Sequence, residues 1–334
     1  MIWIVVAVVA LAAAPLTAEA GATTAPPAAA QTSGTIIHPL PGPQVFPESV
    51  AVDAASGRYW VTSVKDGTIF TGMVGSAAPA TVFSPAGADG RTIAAGIAYA
   101  SGRLAVAGRQ TGKAFVYDAR PGRLIGPMRT GLPPTRTWLN DVAFGAHSDA
   151  YFTDSTAPVL WRARRTRGGY RLQRFLDFTG TPVHYRTASG AGGINVNGIA
   201  ASADGHDLVI GKRNDNALFH VDVRTKRVRR VALPAGAVTT PDGIVLRGGT
   251  LYVVQNTPSA VKVLRLSRDY TTAAVRGTIT DPSFARVHDG AAVYRDRLLV
   301  VSSQFDTLGS PAAVSGTAPP TLPFWVSEVA AGTR

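Results

Sequence analysis

"NDVAFGAHSDAYFTDS", residues 140–155, opens an alternating apolar run with Asn140 and Asp141, turns, and starts a second β-rich run at "AYFTD". Strands usually avoid Asn and Asp, so the pair needs a reason, and the rest of the chain repeats it. Six segments begin an apolar run in the same way: "ESVAVD" at 48, "AGIAYA" at 95, "NDVAFG" at 140, "NGIAAS" at 197, "DGIVLR" at 242 and "DGAAVY" at 289. Their spacings are 47, 45, 57, 45 and 47 residues. After each comes a turn rich in Gly, Asp or Ser and a further apolar run, such as "RYWVTS", "DLVIGK" or "RLLVVS". The first five units continue with more strand-like segments, and no long stretch carries helical periodicity. The period matches a blade of four antiparallel strands. Six units predict an all-β chain, a six-bladed β-propeller around a central channel.

The sixth unit runs short of strands after "RLLVVSSQFD", while "GTIIHPL" (34–40) precedes the first unit and "FWVSEVA" (324–330) ends the chain. Blade six is therefore expected to take one outer strand from each terminus, which closes the ring without a long open edge. The propeller domain is set at residues 35–334. Ahead of it, residues 1–20 are an apolar run ending in Ala18-Glu19-Ala20, the pattern of a cleaved signal peptide, and 21–34 read as a flexible linker. The run is short for a bilayer span but has no Lys or Arg before it, so an N-terminal anchor is the alternative. The expected location is secreted, periplasmic or extracellular, with no stable membrane insertion after cleavage.

Composition narrows the function. The chain has no cysteine, which excludes disulfides and thiol chemistry. Its formal charge of +12 is spread along the chain, densest in "WRARRTRGGYRLQR" and "RTKRVRR", where apolar residues interleave as on the exposed face of a strand. No single basic patch forms, and nucleic acid is not an expected partner. "SGRLAVAGRQTGK" lacks the Gly-Lys-Ser/Thr ending of a phosphate loop.

In a propeller the first strand of each blade lines the channel, so the repeated first position collects at one mouth. Around the ring it reads Glu48, Ala95, Asn140, Asn197, Asp242 and Asp289. Turn formation accounts for the Asn-Gly and Asp-Gly pairs, but not for Glu48 or for Asn140-Asp141. Nor does it explain carboxylates converging on one axis, where they repel unless a cation sits among them. Mixed carboxylate and amide oxygens suit Ca²⁺, or another hard divalent cation, rather than zinc.

With these blade-start motifs, the chain from about residue 36 to 330 resembles the calcium-dependent propellers of the SMP-30/gluconolactonase/LRE-like family. That resemblance implies metal ligands at Glu48 in "FPES", Asn140 in "LND", Asn197 in "VNG" and Asp242 in "PDG". It also implies Asp242 as the group that activates water or attacks directly. Gluconolactonase-type members carry an Arg two residues before the blade-three Asn; here that position is Trp138. An aromatic wall suits an apolar or aromatic lactone or ester better than a polyhydroxylated one. His288, one residue before the blade-six position, is either a proton shuttle or a rim histidine bonded to a backbone carbonyl. Asp289 either joins the metal's ligands or hydrogen-bonds one of them, and Asp141 joins Trp138 and Asp289 as pocket residues. The long third interval is expected to place extra chain near "TPVHYRTASGAGG", either as a lid carrying His184 or Tyr185 or as a plain surface loop. His147 and His206 are expected to face solvent. Two readings follow: a secreted calcium-dependent hydrolase of a small lactone or related ester, for which a monomer suffices, or a non-catalytic NHL-like propeller in which calcium only pins the blades.

Overall fold

The structure, a computed structural model, describes residues 34–187, 193–284, 288–308 and 323–332; the expected signal peptide and most of the linker lie outside them. It contains six four-stranded antiparallel sheets arranged as successive blades. The innermost strands are β2 (Pro47–Val52), β6 (Ile97–Ala100), β10 (Leu139–Phe144), β14 (Val196–Ala201), β18 (Pro241–Arg247) and β22 (His288–Tyr294). Each pairs with the following strand: β3 (Arg58–Ser63), β7 (Arg103–Ala107), β11 (Ala150–Asp154), β15 (Asp207–Lys212), β19 (Thr250–Gln255) and β23 (Arg297–Ser302).

Closure is as the sequence predicts. In blade six the order is β22, β23, β24 (Trp325–Ala330) and, outermost, β1 (Ile36–Pro39). The chain's two ends meet in register, with Ile36 opposite Glu328 and Pro39 opposite Trp325.

The second strands are apolar without alternation because both faces are covered. Tyr59 and Val61 of β3 pack toward blade six against Leu299, Val301 and Phe324, whereas Trp60 packs toward blade two against Leu104, Val106 and Phe115. Burying each large side chain this way contributes about 1.5–3 kcal/mol, so the core is a ring of inter-blade wedges. The arginine-rich stretches sit where their pattern placed them. In blade three, β12 (Val159–Thr166) and β13 (Gly169–Asp177) form a long hairpin whose Arg164 and Arg165 are exposed, while Arg162 pairs with Asp149.

The surplus of the third interval falls between β13 and β14, in residues 178–195, of which 188–192 are not described. Tyr185 does not reach over a pocket. Its ring stacks on Phe178 with centroids 5.9 Å apart, and its hydroxyl donates to the Asp154 carbonyl at 2.6 Å. That corrects the lid expectation for Tyr185, which pins the loop into the blade-three core; His184 is exposed. His147 is exposed and His206 half-buried, both in turns.

Candidate metal centre at the axial mouth

The question posed by Asn140-Asp141 has a backbone answer. In five blades the register between the first two strands slips across the repeated dipeptide: Glu48-Ser49, Asn140-Asp141, Asn197-Gly198, Asp242-Gly243 and Asp289-Gly290. Each pair is a β-bulge rather than a turn. A bulge twists its strand and re-aims a side chain, here the first residue of the pair toward the axis. The second residue abuts the next blade's backbone. A Cβ on Gly198 would lie 2.0 Å from the Asp242 carbonyl oxygen, one on Gly243 2.5 Å from that of Asp289, and one on Gly290 2.6 Å from that of Glu48. Glycine follows the donor because there is no room for a side chain. Asp141 occupies the same position differently, its carboxylate accepting the N–H of Val142 at 2.8 Å and of Ile199 in blade four at 3.1 Å.

The bulges bring Glu48, Asn140, Asp141, Asn197, Asp242 and Asp289 to one narrow axial cavity. Glu48, Asn140, Asn197, Asp242 and Asp289 are buried. Trp138 is not on the cavity wall but one layer above it. The side chain of His288 lies outside the described residues; its backbone pairs with Ser302 at the start of β22.

A second ring, missed in the sequence, lies over the first. The residues just past the second strands, one beyond each except β7, where it is two, read Val64, Arg109, Ser155, Arg213, Asn256 and Ser303. Arg109 donates through Nε and Nη2 to Glu48 Oε2, both at 2.8 Å, and its guanidinium lies between Trp138 and Phe305, 5.2 and 4.8 Å from their ring centroids. Asn140 donates its amide N–H to Ser155 Oγ at 3.0 Å, which leaves its carbonyl oxygen as the donor to a ligand. Arg213 stands 3.8 Å from Asp242 and donates to Asn256 Oδ1 at 3.0 Å, and Asn256 in turn donates to Asp289 Oδ1 at 3.0 Å.

Two arginines do not neutralise four carboxylates. Burial pushes Glu48 up to about 7 even though Arg109 opposes it, and burial pushes Asp141 to about 7 despite its two backbone donors. Asp242 is raised well above the carboxylate range, first by burial and then by the adjacent Asp289, which is itself raised by burial. Mutual repulsion in the buried Asp242–Asp289 pair disfavours both charges at once. Asp289 Oδ2 is buried with no hydrogen-bond partner, and the side chain of Asn197 makes no hydrogen bond among the described residues. An orphaned anionic oxygen, desolvated carboxylates and uncommitted amide oxygens fit a hard cation. Among the described residues no three His, Asp or Glu side chains are placed to hold a metal by themselves, so the two amides are needed to complete such a set.

No family profile and no curated protein sequence matches this chain. Solved structures do. The calcium-binding protein regucalcin from Agrobacterium tumefaciens superposes with a TM-score of 0.57 at 16% identity, over 88% of this chain and 94% of its own. The fold is shared with regucalcin. A gluconolactonase from Xanthomonas campestris matches at TM-score 0.55 and 14% identity over 86% of both chains. A virginiamycin B lyase from Staphylococcus aureus matches at 0.55 and 14%, over 88% of this chain and 98% of its own. These likenesses fit the resemblance carried by the blade-start motifs, and at such identities they speak for the architecture alone.

Proposed function

We propose that this chain is a secreted, calcium-dependent hydrolase that opens a small lactone or related ester at the axial mouth. The observation that carries the reading is the donor set itself. Oxygen-bearing side chains from five blades converge on one cavity, under-neutralised, with Asp289 Oδ2 lacking any partner among the described residues. The regucalcin and gluconolactonase likenesses favour the same reading. Glu48, Asn140, Asn197 and Asp242 would hold the ion, calcium or another hard divalent cation. Bound there, it supplies Lewis acidity toward a carbonyl oxygen.

The remaining chemistry belongs to the chain. Asp242, when ionised, presents a carboxylate that takes a proton from an attacking water, and Asp289 beside it provides a second acceptor. Arg109 fixes one oxygen of Glu48 and so sets that carboxylate's direction. Trp138 and Phe305, on either side of the guanidinium, offer aromatic surface to an apolar or aromatic substrate. The leader ending in Ala18-Glu19-Ala20 underlies the proposed export. The closed ring needs no second copy, and the scattered basic residues give nucleic acid no patch.

One observation favours a second reading, in which the ion only pins the blades of a binding propeller. The axial cavity is narrow, and Arg109 already caps Glu48. Hydrolysis of a lactone and aryl-ester panel by the mature chain, with calcium and then with a chelator, separates the two. Calcium-dependent turnover that falls about 10²–10⁴-fold in Asp242→Asn, with the fold intact, is expected. No turnover, together with a melting temperature that chelation still lowers, moves the structural ion ahead.

A further inference from the structure

A second cluster lies at the opposite face, between blades four and five. Strand β15 runs from Asp207 to Lys212, and Lys212 pairs with Val196 at the mouth, so Asp207 stands at the far end. There Asp207, His220, Arg227, Arg229, Arg268 and Tyr270 line a cleft of about 210 Å³. His220 is on β16 (Ala217–Asp222); its side chain is 8% exposed. Its Nε2 is 2.6 Å from Asp207 Oδ1, and the Tyr270 ring stacks on it at 5.2 Å and 18°. Nε2–H therefore donates to Asp207, which leaves Nδ1 of the neutral ring as an acceptor. Among the described residues Nδ1 is buried and has no partner.

The carboxylates of this cleft are committed and the guanidiniums are not. Asp207 accepts from His220; Asp222 accepts the N–H groups of Arg224 and Thr225; Asp269 accepts from Ser267 and Thr271. Among the described residues Arg227, Arg229 and Arg268 form no side-chain hydrogen bond and no ion pair. Surface arginines on a strand edge are ordinary. Three around one cleft, over a buried imidazole fixed on one side and unpartnered on the other, form a site for a tetrahedral anion.

We propose that this cleft binds inorganic phosphate, with the three guanidiniums on its anionic oxygens and its P–O–H donating to His220 Nδ1. The proton on the ligand distinguishes phosphate from sulfate. Near pH 8 sulfate has no hydrogen to give to Nδ1; only an imidazolium, donating Nδ1–H, would hold it, and the neutral ring binds it poorly. Asp207 bonds to the ring and Tyr270 stacks on it, while Asp222 and Asp269 line the same cleft.

The test is histidine side-chain ¹H–¹⁵N spectroscopy of the mature, calcium-free protein at pH 8, titrated with inorganic phosphate, methyl phosphate or sulfate at matched ionic strength. The expected result is a saturable shift of the His220 resonances with inorganic phosphate, whereas methyl phosphate, a dianion without P–O–H at this pH, should bind at least ten-fold more weakly. Sulfate should bind at least ten-fold more weakly. Arg229→Gln/Arg268→Gln, which removes charge from the cleft's rim without touching the core, should weaken phosphate at least ten-fold while the melting temperature holds. No saturation with inorganic phosphate, equal binding of sulfate or methyl phosphate, or an unchanged affinity in the double variant would overturn the proposal. None of these readouts depends on calcium or on hydrolysis at the mouth, so this site stands or falls separately.

Discussion

Two places in the ring bury carboxylates drawn from distant parts of the chain, and they are built in opposite ways. At the seam where the termini meet, Glu328 is 2% exposed and fully engaged. Its Oε2 takes His38 Nε2 at 2.9 Å and the Gly75 N–H at 2.7 Å, and its Oε1 takes Arg297 Nε at 2.8 Å. Burial works against the charge there, yet the hydrogen bonds from His38, Gly75 and Arg297 hold it below the usual range. At the mouth, burial outweighs the donors and positive charge that reach Glu48, Asp141, Asp242 and Asp289, and all are pushed up. A satisfied buried carboxylate closes a fold; an unsatisfied one holds a place for something else.

The difference is sharpest under truncation. Glu328→Ala strands a buried histidine and an arginine and should cost about 3–5 kcal/mol in urea unfolding. Asp289→Asn in the calcium-free protein should stay within about 1 kcal/mol, since it removes repulsion along with one bond. Equal costs would erase the distinction between the two sites.

Acidity probes the same contrast with opposite signs. Glu48 is raised from 4.5 to about 7, so its contribution in chelated protein is complete below about 4.5 and is lost as pH climbs toward 7. That loss is on the order of 3 kcal/mol at 1.36 kcal/mol per unit. Glu48→Gln should flatten the profile in that window. Glu328, being lowered, stabilises above its unfolded value near 4.5 and gives up that stability as pH falls. A calcium-free stability curve that rises between 4.5 and 7 in the native chain would contradict the mouth's electrostatics.

Hub and rim differ in packing as well. Gly290→Ala places a methyl against the Glu48 carbonyl and should cost about 1–3 kcal/mol. Gly126, on the outer strand β9 (Leu124–Arg129), has open space and no left-handed backbone, so Gly126→Ala should be neutral or stabilise by about 0.4–1 kcal/mol. The smallest effect belongs to Trp138→Leu, which removes one of the two faces holding Arg109. A loss of about 0.5–1 kcal/mol is expected by thermal unfolding.

The blade starts were legible because one position repeats next to apolar runs that cannot hide, and the strand shortage after Ser302 pointed to shared termini. The bulges were not legible: Asp-Gly reads as a turn in any window that omits the neighbouring blade. The upper ring was hidden by uneven hairpins. From Glu48 to Val64 is 16 positions, from Ala95 to Arg109 is 14 and from Asn140 to Ser155 is 15, so no fixed offset exposes it. Arg109 sits in the stretch set aside for lacking a phosphate-loop ending, and only its left-handed backbone (φ 48°) and its bridge to Leu139 turn it toward Glu48.

The glycine contacts at the hub have a kinetic consequence. Because Gly290 of the last blade rests on Glu48 of the first, no blade is terminal, and none can peel away as the end repeat of an open array does. Opening has to begin where β1 leaves β24, the one edge made of two chain ends. Amide protons along Ile36, Ile37 and His38 therefore report the rate at which the whole cycle comes undone.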